Sequence, residues 1–250
     1  MKRESSIHIG TSGWHYEHWA GPFYPEDLPS DHFLAYYAQY FQTAEVNNTF
    51  YRLPTEKAMA DWRDTVPAGF IFAVKASRYI THMKKLKEPQ QTLSVFLKRV
   101  EILGDKLGPI LFQLSPYWHF NLERLRAFLE ALPRDFRYVF EFRDESWIND
   151  STNKVLAEHN AAFCIYDFAG KQTSKIVTND LVYVRLHGPE VAYAGQYDTE
   201  TLAEWAKDFL AWERQGKQIY CYFDNDEAAY AAQDALRLKE MVVKSTNCTF

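Results

Sequence analysis

The chain has 250 residues, of which 47% are hydrophobic and 24% charged, a balance that excludes a disordered or fibrous protein and gives length enough to bury a substantial core. A formal net charge of -5 supplies no general attraction to nucleic acid or to an anionic membrane surface, and no apolar run approaches a membrane span. Aromatic residues reach 16%; most belong to the core, and several fall in loop-like motifs.

The amino-terminal segment MKRESSIHIG passes from charge straight into a strand-like run, with no apolar stretch of signal-peptide length, and reads as cytoplasmic. Short β-like runs follow at Ile7 to Thr11, Ala44 to Asn48, Phe70 to Lys75, Ile110 to Leu114, Tyr138 to Arg143, Ala162 to Asp167, Leu181 to His187 and Gln218 to Asp224. Amphipathic helical stretches separate most of them: His32 to Phe41, Glu56 to Asp64, Pro89 to Leu103, Leu122 to Leu132, Thr152 to His159, Glu200 to Gln215 and Asp226 to Met241. Ser30 and Asp31 precede the first helix, Gly104 ends the third, Asn121 caps the fourth and Gly216 follows the one ending at Gln215. The segment Phe168 to Asp180 is too short and polar for a full crossover helix. Cysteines at 164, 221 and 248 lack CxxC spacing, so they suggest neither a disulfide framework nor a cysteine-based zinc site.

Strand and helix alternating eight times, without a linker, predicts one domain over 1–250 with its core at about 7–241: a (β/α)8 TIM-type barrel with an incomplete helix between its sixth and seventh strands. An open doubly wound sheet is disfavoured, because the glycines of GTSGW after the first strand lack dinucleotide-binding spacing.

In such a barrel the site forms at the carboxyl ends of the strands. Each predicted strand finishes polar: Thr11 or Ser12, then Glu45 and Asn47, Lys75, Gln113, Glu141 and Arg143, Asp167, Arg185 and His187, and Asp224. In the fifth, Tyr138, Phe140 and Phe142 alternate with Val139, Glu141 and Arg143, and a charged pair on one face is costly inside an ordinary core. A space-filling ion-pair network is the plainer reading, but polarity on all eight strands favours a site. Loops after the strands add Trp14, Tyr16, Tyr51, Trp147 and Tyr193, flat faces suited to a sugar ring or a nucleobase, or else to packing on the rim. His82 follows the third strand as a proton carrier or a loop anchor.

The motifs GTSGWHYEHW, EVNNTFYRLP, FAVK with Thr81-His82, LGPILFQLSP, EFRDESW, YVRLHG, YAGQY and YFDND together resemble the DUF72, or YecE-like, family over nearly the whole chain, about Ile7 to Met241. The resemblance implies a TIM-barrel fold and carries no established activity. Asp144 stands where the family frequently has histidine and Asp224 where it frequently has asparagine, which lowers both in rank.

The leading functional expectation is a hydrolytic enzyme for a polar anionic or sugar-like small molecule. Glu45, Glu141, Lys75 and His187 are its catalytic candidates, and Asn47, Gln113, Arg143, Asp167, Arg185 and the loop aromatics its binding candidates. No organic-cofactor motif is present, whereas the carboxylates with His187 leave room for a divalent metal and so for a nuclease or phosphodiesterase. A non-catalytic metabolite-binding protein is the third reading. Nucleic acid is not a favoured partner, and oligomeric state is unreadable.

Overall fold

The computed structural model describes residues 6–247; Cys248 lies outside them. Its strands are β1 (Ile7–Thr11), β2 (Thr43–Val46), β3 (Ile71–Lys75), β4 (Leu107–Gln113), β5 (Tyr138–Glu141), β6 (Ala162–Phe168), β7 (Lys171–Gln172), β8 (Leu181–Leu186) and β9 (Gln218–Phe223). The helices are α1 (Phe33–Tyr40), α2 (Glu56–Thr65), α3 (Pro89–Val100), α4 (Leu122–Glu130), α5 (Asp150–Glu158), α6 (Thr199–Arg214) and α7 (Tyr230–Asn247). Leaving aside β7, the order of elements and the strand pairing are those of the (β/α)8 TIM-type class.

The local chemistry explains where the helices begin. Side-chain oxygens of Thr55, Asn121, Asn149 and Asp198 accept from backbone N–H groups of α2, α4, α5 and α6, at 3.1, 2.9, 3.0 and 2.7 Å. Pro89 opens α3, where a missing N–H costs nothing. Two expected signals act differently. Ser30 and Asp31 form a 3-10 turn, Ser30–His32, and supply no side-chain cap, while Gly104 (φ 58°) kinks a 3-10 segment, Glu101–Lys106, after α3 has ended.

The described residues fall into two compact units. The first holds residues up to Ala44, Ile165–Lys175 and Asp180 onward. In it β1 pairs with β9 and β9 with β8, all parallel, with Arg185 level with Tyr222 and Gly10 level with Tyr222. A Cβ on Gly10 would lie 2.3 Å from the Thr43 carbonyl oxygen, so glycine is what lets these backbones approach. After β6 the chain turns through Ala169 (φ 52°) and Gly170 (φ 74°) into the antiparallel β7. Two successive positive φ values make the tight turn of a hairpin, which takes the place of a crossover helix.

The second unit holds Glu45–Cys164 and Ile176–Asn179. Here β3, β4, β5 and the first half of β6 run parallel, with Gln113 level with Glu141. Every residue of β5 is buried, as parallel strands covered on both faces require. Lys106 Nζ donates to the carbonyls of Arg63 and Val66, each at 2.6 Å, fastening the end of α2.

Candidate functional site

In the second unit the carboxyl ends of β3, β4 and β5 gather polar groups. Glu141 has no exposed surface, and its Oε1 accepts from Gln113 Nε2 at 2.8 Å and from Arg143 Nε. Gln113 comes from the level position on the neighbouring strand, so strand register makes the first contact. The second reaches back from Arg143, two residues beyond the end of β5, to the strand's last residue. Lys75, the last residue of β3, lies with Nζ 4.3 Å above the Phe50 ring, a cation–π contact. Its backbone carbonyl accepts from Thr49 Oγ1 at 2.6 Å, which ties the loop after β2 to the end of β3. Glu45 is buried at the end of β2, and Asn47, just beyond it, has a buried Oδ1 with no hydrogen-bond partner.

His82 completes this group. It lies in a π-type turn, Tyr79–Met83, closed by Lys84 N–H donating to the Tyr79 carbonyl at 2.9 Å. Such turns are costly and often mark functional positions. The imidazole is half-buried, edge-on to Phe50 at 5.0 Å. Its pKa is lowered from the usual histidine value, first by burial and then by the Lys75 and Arg78 charges, with Glu141 opposing. Downstream, Lys85, Leu86 and Glu88 all hold positive φ (48°, 60° and 51°), conformations that strain side-chain-bearing residues.

In the first unit a second network forms on β8 and β9. Arg185 donates to Asp224 Oδ2 and to Ser12 Oγ, both at 3.2 Å. His187 Nδ1 lies 2.9 Å from Asp224 Oδ2 and its Nε2 lies 3.2 Å from Arg185 Nη1. Because arginine can only donate, His187 Nε2 accepts, which places its proton on Nδ1 toward Asp224. Arg185 and His187 have no exposed surface. Arg185 and His187, the expected substrate-charge holder and proton carrier, thus both engage Asp224, the residue ranked lower from sequence.

Asp167 faces away from His187. Phe168 packs its ring against His187 at 5.6 Å, and strand alternation turns Asp167 to the opposite face of β6. There its charge acts on the buried Tyr197 hydroxyl, which accepts from Gly188 N–H at 3.1 Å. Burial raises the Asp167 pKa to about 6, and Oδ1 has no hydrogen-bond partner.

The loop aromatics divide by exposure. Trp147 is fully buried, stacked on Phe142 at 5.1 Å and donating Nε1–H to the Trp118 carbonyl at 2.6 Å. Trp14 is buried as well, so both indoles take the packing role that was the alternative to a binding face. Tyr16 is spent on packing Trp19 and on a 2.7 Å hydrogen bond to the Ser12 carbonyl. Tyr51 and Tyr193 are exposed, at 67% and 46%; Tyr51 stands edge-on to Phe50, and Tyr193 stands over His187 and Phe168.

The model for the family described as "Protein of unknown function DUF72" matches residues 8–249. The chain belongs to the DUF72 family. It is 22% identical to the UPF0759 protein YunF of Bacillus subtilis over 94% of each chain, and 30% identical to YecE of Escherichia coli K12 over 55% of this chain and 48% of that one. A DUF72 family protein of Thermotoga maritima superposes with TM-score 0.86 at 29% identity, covering 95% of this chain and 99% of the other. At 20% identity, one from Enterococcus faecalis gives TM-score 0.81 and attests the fold alone.

Some of what matters in this DUF72 chain was faint in its sequence. Arg78 carries no motif signal by itself, and the part of Phe50, within EVNNTFYRLP, is visible only once the loops are placed. Asp234 and Arg237 carry no motif signal, and Asn225 enters only as part of YFDND. Asp234 has no exposed surface and accepts from Tyr197 N–H (3.0 Å), Asn225 Nδ2 (2.9 Å) and Arg237 Nη1 (2.9 Å), pinning the loop that carries Tyr193. The signal available was a carboxylate on the inner stripe of α7. Among the described residues no three His, Cys, Asp or Glu side chains form a group that could hold a metal ion, and no helix is long and apolar enough to cross a membrane.

Proposed function

We propose that this DUF72 protein is a hydrolytic enzyme for a small polar anionic molecule, with His82 as the general base and Lys75, Arg78 and Arg143 as the groups that hold the substrate's charge. The observation that carries this reading is the state of His82. Two neighbouring cations and burial depress its pKa, so at neutral pH the imidazole is uncharged and able to take a proton. The Thr81 hydroxyl donates to the Ser77 carbonyl at 3.4 Å and lies 2.9 Å from His82 Nδ1, so it accepts the Nδ1 proton and leaves Nε2 as the basic nitrogen. Glu141 has no exposed surface for direct proton exchange and acts here by orienting Gln113 and Arg143. Hydrolysis requires little: a base to activate water and cations to stabilise the developing negative charge.

The test is turnover of a panel of chromogenic phosphate, sulfate and carboxylate esters by the wild-type protein and by His82→Gln. One anionic class should be hydrolysed, and the substitution should lower kcat by about 100-fold or more with the fold unchanged by circular dichroism. Full activity in His82→Gln, or no turnover anywhere in the panel, would overturn the assignment.

A further inference from the structure

The hydrogen-bonding capacity around Lys75 and His82 says more about the ligand than its charge. Gln113 Nε2 donates to Glu141 Oε1 at 2.8 Å, and the reversed amide would set two oxygens against each other. The Gln113 carbonyl oxygen is therefore turned away from Glu141, and no described residue donates to it. Asn47 Oδ1, on the turn that carries Thr49 and Phe50, is buried and likewise has no donor. Two amide oxygens thus stand ready as acceptors beside the cations Lys75, Arg78 and Arg143, which only donate, while the Glu141 carboxylate of the same cluster is already engaged by Gln113 and Arg143. A simple carboxylate or inorganic anion would satisfy the cations and leave both acceptors unmet, which is costly where they are desolvated. Hydroxyl groups meet the requirement.

The cations also discriminate among anions. A carboxylate is saturated by one bidentate guanidinium, whereas a phosphate monoester offers three terminal oxygens and greater charge. Here the cationic groups come from three places, the end of β3, the loop after it and the end of β5, and one is a lysine acting as a point charge above Phe50. Tyr51, exposed and edge-on to Phe50, has the Arg78 guanidinium 6.0 Å from its ring centroid on one side and adds an apolar ring of the kind the C–H side of a sugar covers.

We infer that the ligand of this site is a phosphorylated polyhydroxy compound, a sugar phosphate in chemical class, whose hydroxyls donate to Asn47 and Gln113 while its phosphate lies on Lys75, Arg78 and Arg143. This rests on the reading of the Lys75 and His82 cluster as the substrate site. It is tested by binding rather than turnover, so that the two can fail separately.

Isothermal titration of the His82→Gln protein is carried out with inorganic phosphate, glucose, gluconate, glucose 6-phosphate and ribose 5-phosphate. At least one sugar phosphate should bind about tenfold or more tightly than inorganic phosphate, with glucose and gluconate weaker than both. Adding Asn47→Ala should cost the sugar phosphate about tenfold and leave inorganic phosphate within about twofold, since one buried hydroxyl contact is lost and no charge is changed. Gln113→Met serves as the second variant should Asn47→Ala fail to fold. The inference is overturned if no sugar phosphate binds more tightly than inorganic phosphate, if gluconate is preferred, or if the amide substitutions weaken every probe alike. Sugar phosphate binding without hydrolysis by the wild type would overturn the reaction and keep the ligand.

Discussion

Replacing Asp167 with asparagine should make the protein more stable at neutral pH, although it deletes a buried charge from a strand. The carboxyl is 8% exposed, one oxygen has no hydrogen-bond partner, and burial raises its pKa to about 6. An unfolded chain holds the same group at about 3.9, so the folded state binds this proton more tightly by about 2 pK units, or about 3 kcal/mol. The sign follows from linkage. The stabilisation is complete below the unfolded pKa and is lost as pH rises through the folded one, so above about pH 6 the wild type bears the full cost of an unpartnered carboxylate. Asparagine keeps the shape without the charge. Urea unfolding of both proteins should show the stability difference moving in favour of Asp167→Asn by about 2 kcal/mol between about pH 4.5 and 7.5, because part of the titration lies below that window. A pH-independent difference, or a wild type that gains on the variant as pH rises, would refute the reasoning.

Trp147→Phe should lose about 1 kcal/mol of stability, the hydrogen bond to the Trp118 carbonyl, while KM for an identified substrate stays unchanged; a large rise in KM would restore this indole to the binding surface. Asp234→Ala leaves Tyr197 N–H, Asn225 and Arg237 without their shared acceptor and should cost about 3 kcal/mol in urea unfolding. Amide exchange should then accelerate in the 188–197 loop before it does in β8, and uniform acceleration would contradict a local role for the clamp.

The architecture was legible because it rests on periodicities. Strand runs bounded by turn residues and helices with one apolar stripe fell within a few residues of their observed limits, and β1 matched at both ends. The pairing of Glu141 with Arg143 was legible from their spacing, although the strand ends at Glu141 and Arg143 reaches back from the loop. The facing of Asp167 is set by which neighbour, Phe168 or Asp167, meets His187, which the polarity of a strand end does not encode. Exposure was the other blind spot. Trp147 and Tyr51 both follow strands in polar, aromatic loops, yet one is wholly enclosed and the other mostly exposed, a difference decided by tertiary neighbours that no local pattern encodes. His82 was visible only as a lone histidine, because its depressed pKa comes from Lys75 and Arg78 once the π-type turn has placed it among them.

The pH profile of kcat/KM, measured for the wild type and for His82→Gln on the substrate the ester panel identifies, tests the central claim most directly. With His82 as the base, wild-type activity should fall on the acid side with a midpoint below the ordinary histidine value of about 6.5, and that limb should vanish in the much slower variant. An acid limb that persists unchanged in His82→Gln would contradict the account.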